Sequence, residues 1–293
     1  MARRRPPTVH GLAVVDKPAG VTSHDVVNQL RRRFGERRIG HAGTLDPDAT
    51  GVLLVGVGSV TRLLRFLTEL GKTYTAEVVL GTETTTLDSS GDVTARHDMA
   101  GVTVADARRV VAEHLTGDIM QVPPMVSALK VEGRRLHELA RAGIEVERAA
   151  RPVTVSRFDV EPTDDPLVLR VIVTCSSGTY VRSLAADLGT LLGGGAHLRA
   201  LRRAAIGSFT EAEAAPPEVC SLLAPRTALR DRTQITVDAA TAALVRTGRV
   251  LPAFAGPPPW ALLDEQGELL ALYEPFRDGH AKPAVVLVGG GDG

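Results

Sequence analysis

Cysteine is nearly missing from this sequence: Cys175 and Cys220 are the only two in 293 residues, far apart and outside any CxxC pair. That argues against a disulfide framework and against a cysteine-based zinc site, and it fits a reduced, cytoplasmic protein. Long apolar runs are missing too. None approaches the roughly 20 residues of a membrane span. The GLAVV run after the basic opening MARRRPP stops at Asp16-Lys17, too soon for a signal-peptide core. Net charge is absent, with 34 basic against 34 acidic residues, so bulk charge gives no argument for a nucleic-acid partner. Aromatics are scarce at 3%, which makes each Tyr, Phe or Trp beside a polar motif more informative. Hydrophobic residues at 44% exclude a disordered chain. The length suffices for one large domain and a small appended one.

Charge is unevenly spread even though it sums to zero. Arg31, Arg32, Arg33, Arg37 and Arg38 crowd one stretch, and Arg199, Arg202 and Arg203 crowd another beside His197, while Glu83, Asp88, Asp92 and Asp98 cluster elsewhere. Such segregation gives a neutral protein a basic face, although solvated helix surfaces produce the same pattern.

Periodicity predicts a strand over residues 10–16 and a turn at Lys17-Pro18-Ala19-Gly20. A helix follows, with Ser23 as N-cap, Val26, Val27, Leu30 and Phe34 on one face, and Gly35 as terminator. Val52 to Val57 reads as a buried strand, and Val60, Leu63, Leu64 and Leu67 as a helix face. Tyr74, Ala76, Val78 and Leu80 alternate with more polar residues, the mark of a half-buried strand. Thr103 and Asp106 form a capping pattern before another helix. A polar helical stretch is expected near 133–142, strands at 152–160 and 167–175, and a helix from Gly178 to Leu192. Residues 233–290 read as a separate unit with a helix from Ala239 to Arg246 and short strands around Pro257-Pro258-Pro259, before a loose GGGDG tail. Strands and helices without strict βα alternation argue for an α+β fold.

Two polar segments stand out. Gly40-His41-Ala42-Gly43-Thr44-Leu45-Asp46-Pro47-Asp48-Ala49-Thr50-Gly51 is a glycine-punctuated loop feeding directly into the buried run at Val52. A loop fixed to a scaffold strand is where reactive groups are commonly held. By themselves, Asp46-Pro47 is an ordinary turn and His41 an ordinary packed histidine. In Ser176-Ser177-Gly178-Thr179-Tyr180-Val181-Arg182, the arginine sits in the first helical turn, where the helix dipole favours anions. A carboxylate partner would account for it.

These segments fall in series with others: Val15-Asp16-Lys17-Pro18-Ala19-Gly20-Val21-Thr22-Ser23, Lys72-Thr73-Tyr74, Pro124-Met125-Val126-Ser127-Ala128-Leu129-Lys130, Gly195-Ala196-His197 and Leu201-Arg202-Arg203. In that order they resemble the TruB family of bacterial tRNA pseudouridine synthases, over roughly residues 9–230. The resemblance implies a pseudouridine synthase-like mixed sheet with flanking helices over residues 1–230, an RNA-clamping insertion at about 120–151, and a small PUA-like RNA-binding domain over 231–293. It implies isomerisation of uridine to pseudouridine at position 55 in the T-loop of tRNA, with base flipping, no cofactor and no metal, by a monomer that needs no protein partner.

Residue by residue, the resemblance makes Asp46 the nucleophile. A carboxylate suits an electron-poor C1′ once the glycosidic bond breaks, as in glycosidases; a covalent adduct and proton removal from the sugar are both compatible with it. Arg182 is matched to the partner that keeps Asp46 ionised. Tyr74 is matched to the ring stacking on uracil, with a hydroxyl able to take the C5 proton. His41 is matched to the side chain that fills the space of the extruded base. Asp88, Tyr180, Leu201, Lys17, Lys130 and Arg202 are matched to substrate contacts, and Arg134, Arg135, Arg141 and Arg148 to the clamping insertion. Two readings stand beside this one: a guide-RNA-dependent, dyskerin-like synthase, and an RNA chaperone in which catalysis is secondary or lost.

Overall fold

The computed structural model describes residues 6–127, 129–131, 134–136, 144 and 146–287. Its strands run in chain order as β1 (Gly11–Lys17), β2 (Ile39–Ala42), β3 (Thr50–Val57), β4 (Lys72–Leu80), β5 (Thr82–Thr84), β6 (Val93–Arg96), β7 (Gly117–Gln121), β8 (Lys130–Val131), β9 (Arg134–Arg135), β10 (Arg151–Pro162), β11 (Val168–Cys175), β12 (Ala196–Ile206) and β13 (Phe209–Thr210). They are followed by β14 (Thr233–Thr236), β15 (Leu251–Pro252), β16 (Trp260–Leu263), β17 (Leu269–Phe276) and β18 (His280–Val286). The helices are α1 (Ser23–Phe34), α2 (Leu64–Thr68), α3 (Val104–His114), α4 (Val181–Leu191) and α5 (Ala239–Arg246). The fold is α+β. A nine-stranded sheet has the order β1-β3-β12-β4-β11-β10-β7, with β2 on β3 and β13 on β12, and a five-stranded sheet has the order β14-β16-β17-β18-β15.

The apolar pattern explains the layers. In β3 the run is nearly all hydrophobic because both faces are covered. Val52 and Leu54 join a cluster with Leu63, Phe66 and Phe209, while Leu53, Val55 and Val57 pack with Val26, Val27 and Leu30 of α1. In β4 only one face is covered, so Tyr74, Ala76, Val78 and Leu80 alternate with partly exposed residues and pack on α3 and α4.

Several local expectations shift in detail. The N-cap of α1 is Thr22 rather than Ser23: the Thr22 side chain accepts from Asp25 N–H and the Asp25 carboxylate accepts from Thr22 N–H. That frees the Ser23 hydroxyl for a contact with the catalytic-loop candidate. The helix expected around Val60–Leu67 is a 3-10 helix over Gly58–Leu63 that relaxes into α2. The helix expected from Gly178 begins at Val181, because Gly178 has φ +89° and Tyr180 is extended. Much of the helix expected at 133–142 lies outside the described residues; within it, Arg134–Arg135 pair as a strand with Lys130–Val131. Arg141 and the Lys130 side chain also lie outside what is described. The short strands expected around Pro257-Pro258-Pro259 are β15 before them and β16 directly after them.

The C-terminal sheet shares a core with the large one. Ala261, Leu263, Leu269, Leu272 and Val285 pack in the same cluster as Leu12, Val14, Phe66, Leu67 and Phe209. Arg62 and Arg65 also donate to the β18 carbonyls of Val286 and Ala284, at 2.6 and 3.4 Å. Leu272 is fully buried there. Leu272→Ala is expected to cost about 2–5 kcal/mol and to lower the melting of the whole protein in one transition. Separate early melting of the C-terminal sheet would refute the shared core.

Candidate active site

The segment between β2 and β3 carries Asp46 and is fastened at several points. Ser23, buried at the start of α1, accepts from Leu45 N–H at 2.9 Å and donates to Leu45 O at 3.2 Å. The Gly20 N–H donates to Pro47 O at 3.0 Å. Lys17, at the end of β1 and fully buried, donates to Pro18 O, Val21 O and Pro47 O at 2.7–2.8 Å. An ammonium has three donors, and here all three go to carbonyls. Burial lowers the Lys17 pKa to about 8, against the pull of Asp48 and Asp46 upward. Lys17, expected to contact substrate, therefore acts on the loop: it ties the turn after β1 to the residue following Asp46.

Arg182 is the hub of the site. It stands in the first turn of α4 with its side chain 5% exposed, and its Nε lies 3.1 Å from Asp46 Oδ2. One terminal nitrogen lies 3.4 Å from Asp88 Oδ2 and donates to Thr86 O at 3.0 Å. The other donates to Val126 O at 2.8 Å. The unfavourable position of a cation near a helix N-terminus is thus offset by two carboxylates and two carbonyls. Asp88 is itself fixed, accepting from Thr86 Oγ1, Ser90 N–H and Ser90 Oγ at 2.5–3.0 Å. Burial is the main influence on Asp46 and raises its pKa above the ordinary aspartate value; Arg182 opposes this, Asp88 reinforces it, and Lys17 opposes it. The guanidinium thus offsets part of the upward shift that burial imposes on the carboxylate.

Two clefts meet at Asp46, Arg182 and Leu201. One, of about 110 Å³, is lined also by Tyr74, Tyr180 and Val181. The other, of about 370 Å³, is lined by Asp48, Asp88, Ser90, Val126 and Arg199 among others. Tyr74 is the third residue of β4, opposite Arg203 of β12 and Val173 of β11. Burial raises its hydroxyl pKa, and Arg203 opposes that shift. Tyr180 caps α4, and its backbone is gripped at both polar atoms by the buried Gln121 side chain, at 2.8 Å to N–H and 3.1 Å to the carbonyl.

Not every expected residue reaches these clefts. His41 lies on β2, facing Val55 across the ladder, and lines neither cleft among the described residues. Burial, with Arg203 and His24 adding, lowers its pKa, which favours the neutral imidazole. Arg202 spends its guanidinium on Asp16 at 3.0 and 3.2 Å and on Glu211 at 2.7 Å. The substrate contact expected of Arg202 would have to compete with these pairs. Sequence reasoning missed Gln121 and Arg203 as site residues. Gln121 carries no local signal; Arg203 was quoted in a motif, but the carbonyls it binds lie 151 to 160 positions away.

Comparison with known proteins adds a second line of observation. Residues 31–181 match the TruB family pseudouridylate synthase (N terminal domain), and residues 182–218 match the tRNA pseudouridylate synthase B C-terminal domain. The chain is 45% identical to the tRNA pseudouridine synthase B of Arthrobacter sp. (strain FB24), covering 94% of this chain and 96% of that protein. It is 48% identical to the protein of the same name from Rhodococcus jostii (strain RHA1), with 90% of each covered. Among solved structures, a chain of a Cbf5-Nop10-Gar1 complex superposes with a TM-score of 0.72 at 25% identity, over 95% of this chain and 85% of that one.

Proposed function

Since the chain belongs to the TruB family of pseudouridylate synthases and acts on tRNA as an isomerase, we propose that its target is the uridine at position 55 of the T-loop and that Asp46 is the nucleophile. The observation that carries this reading is the placement of one carboxylate, 3.1 Å from a buried guanidinium, where the two clefts meet. In the reaction the C1′–N1 bond breaks, the uracil turns in place, C5 bonds to C1′, and the C5 proton leaves as N1 gains one. Atoms and electrons balance without an oxidant or a reductant.

Asp46 meets the electron-poor C1′. Arg182 keeps that carboxylate charged and, through Asp88, fixes its direction. Tyr74 offers the ring on which the uracil rests and a hydroxyl for the C5 proton. The 110 Å³ cleft is small beside the roughly 300–1,000 Å³ of ordinary ligand pockets, which suits one extruded base better than a stacked nucleotide. Extrusion costs about a few kcal/mol, and His41, neutral and adjacent in sequence to the loop, supplies a side chain for the vacated space. Tyr180 and Leu201 pack around the base, and Lys130 belongs to an insertion that closes on the RNA. The boundary between catalytic and PUA-like parts is placed near residue 230. The protein works in the cytoplasm as a monomer without cofactor, metal or protein partner.

The test uses purified protein and a tRNA transcript alone. Isomerisation leaves the mass unchanged, so the product is mapped after pseudouridine-specific derivatisation. One converted T-loop uridine is expected. Conversion elsewhere would overturn the target assignment. Conversion only after addition of guide RNA and partner proteins would favour the dyskerin-like reading, for which the likeness to the Cbf5 chain is the supporting observation.

A further inference from the structure

Arg203 is a fully buried cation with no carboxylate within ion-pair distance among the described residues. Its Nε donates to Val52 O at 2.7 Å, one terminal nitrogen to Gly43 O at 3.1 Å, and the other reaches Thr44 O at 3.5 Å. Tyr74 is its direct partner across the β12–β4 ladder, close enough that the guanidinium opposes the upward shift that burial imposes on the phenol. Strand alternation explains the division of labour between neighbours. Arg202 and Arg203 point to opposite faces, so Arg202 meets Asp16 and Glu211 while Arg203 points inward. The backbone takes part as well. Arg203 pairs with Gly51 in the parallel β12–β3 ladder, and a Cβ on Gly51, at φ +101°, would stand 2.3 Å from Arg203 O. One residue therefore holds the loop that carries Asp46 at both ends, Gly43-Thr44 and Gly51-Val52, and stands opposite Tyr74 in the ladder.

We propose that Arg203 is a positioning residue that holds the Asp46 loop against the Tyr74 position of β4 in one rigid frame, so that both side chains meet the same nucleotide. It lines neither cleft and acts through these two groups, not on the substrate. A planar fork with donors in fixed directions serves this role; an ammonium cannot span the same three carbonyls together. The inference rests on the reading that Asp46 and Tyr74 are the reacting groups. A buried guanidinium spent on three carbonyls, with no acid to neutralise it among the described residues, is costly to keep for packing alone.

The experiment compares Arg203→Lys with wild type in single-turnover release of tritium from C5-labelled tRNA, with tRNA Kd and thermal melting measured on the same samples. Arg203→Lys is expected to lose at least about 100-fold in rate, equivalent to about 2.7 kcal/mol of barrier, with Kd within about threefold. Arg203→Gln, which keeps a planar donor of smaller reach, is the second variant if the lysine form does not fold. In a Tyr74→Phe background the loss from Arg203→Lys is expected to shrink, because part of the frame is already gone. A rate within threefold of wild type overturns the inference. So does a rate loss matched by an equal loss of binding, or full multiplication of the Arg203 and Tyr74 losses. Asp46→Asn runs alongside. Turnover by that variant removes the underlying reading, whereas normal turnover by Arg203→Lys beside an inactive Asp46→Asn removes only the present inference.

Discussion

Asp46→Asn is expected to bind tRNA with wild-type affinity and to lose at least about 10⁴-fold in turnover, or about 5.5 kcal/mol of barrier. Asparagine has nearly the same shape but no charge with which to meet C1′. Its effect on the fold should be small, and the linkage sign explains why. The folded-state pKa of Asp46 is raised by burial and by Asp88, so the protonated form suits the folded state better. The stability that protonation contributes is present below the unfolded pKa and lost as pH rises through the folded one. With 44% of the Asp46 side chain exposed, water screens most of this linkage, so replacing the carboxylate by the neutral amide changes stability little. Arg182, for its part, keeps Asp88 and the carbonyls of Thr86 and Val126 as partners. The melting temperature should stay within about 3 °C of wild type, about 1 kcal/mol. Turnover near wild type by the folded variant would sink the assignment of Asp46.

Arg182→Met is expected to lose about 10³-fold at neutral pH, or about 4 kcal/mol of barrier, and to do so with a distinctive pH dependence. Without the guanidinium, burial and Asp88 act on Asp46 unopposed except by Lys17, so its carboxyl ionises at higher pH. The acid limb of the kcat profile should move upward, and the gap to wild type should narrow as pH rises. An unmoved limb would show that Arg182 does not tune Asp46. Stability should fall by about 2–3 kcal/mol, chiefly because Thr86 O and Val126 O lose their donor. The larger cost of breaking a fully buried pair does not apply. The buried partner is the one removed, while the carboxylate side chains left behind are 44% and 21% exposed and keep some water. These readouts separate Arg182 from Asp46, since removing Asp46 abolishes turnover at every pH.

Much of this was legible in the sequence, for reasons that differ from residue to residue. The α3 cap was readable because Thr103 and Asp106 are three positions apart and complete their hydrogen bonds within one turn. The α1 cap was displaced by one residue because Thr22 and Ser23 are chemically equivalent as caps. Only the distant Leu45 backbone, 22 positions on, decides which hydroxyl is free to bind it. Tyr74 was findable as a buried position because a one-sided strand has a period of two. That it faces Arg203 depends on the register of β12 on β4, which carries irregularities between Leu198 and Ala200 and between Arg203 and Ala205. No pattern within either strand specifies those shifts.

By itself the sequence determined the α+β composition, the run of elements, the polar loop before Val52, and, through its ordered motifs, the family; it also singled out Asp46 and Arg182 as candidates. Those features rest on turn chemistry, side-chain periodicity and motif order, which act over a few residues or are matched directly. Only the tertiary structure decided that Lys17 clamps the loop, that Arg202 faces Asp16 while Arg203 turns inward, that Gln121 holds Tyr180, and that the C-terminal sheet shares the large sheet's core. Each of these joins groups distant in sequence. Which groups meet depends on strand order and register, and these are set by the simultaneous burial of many apolar faces.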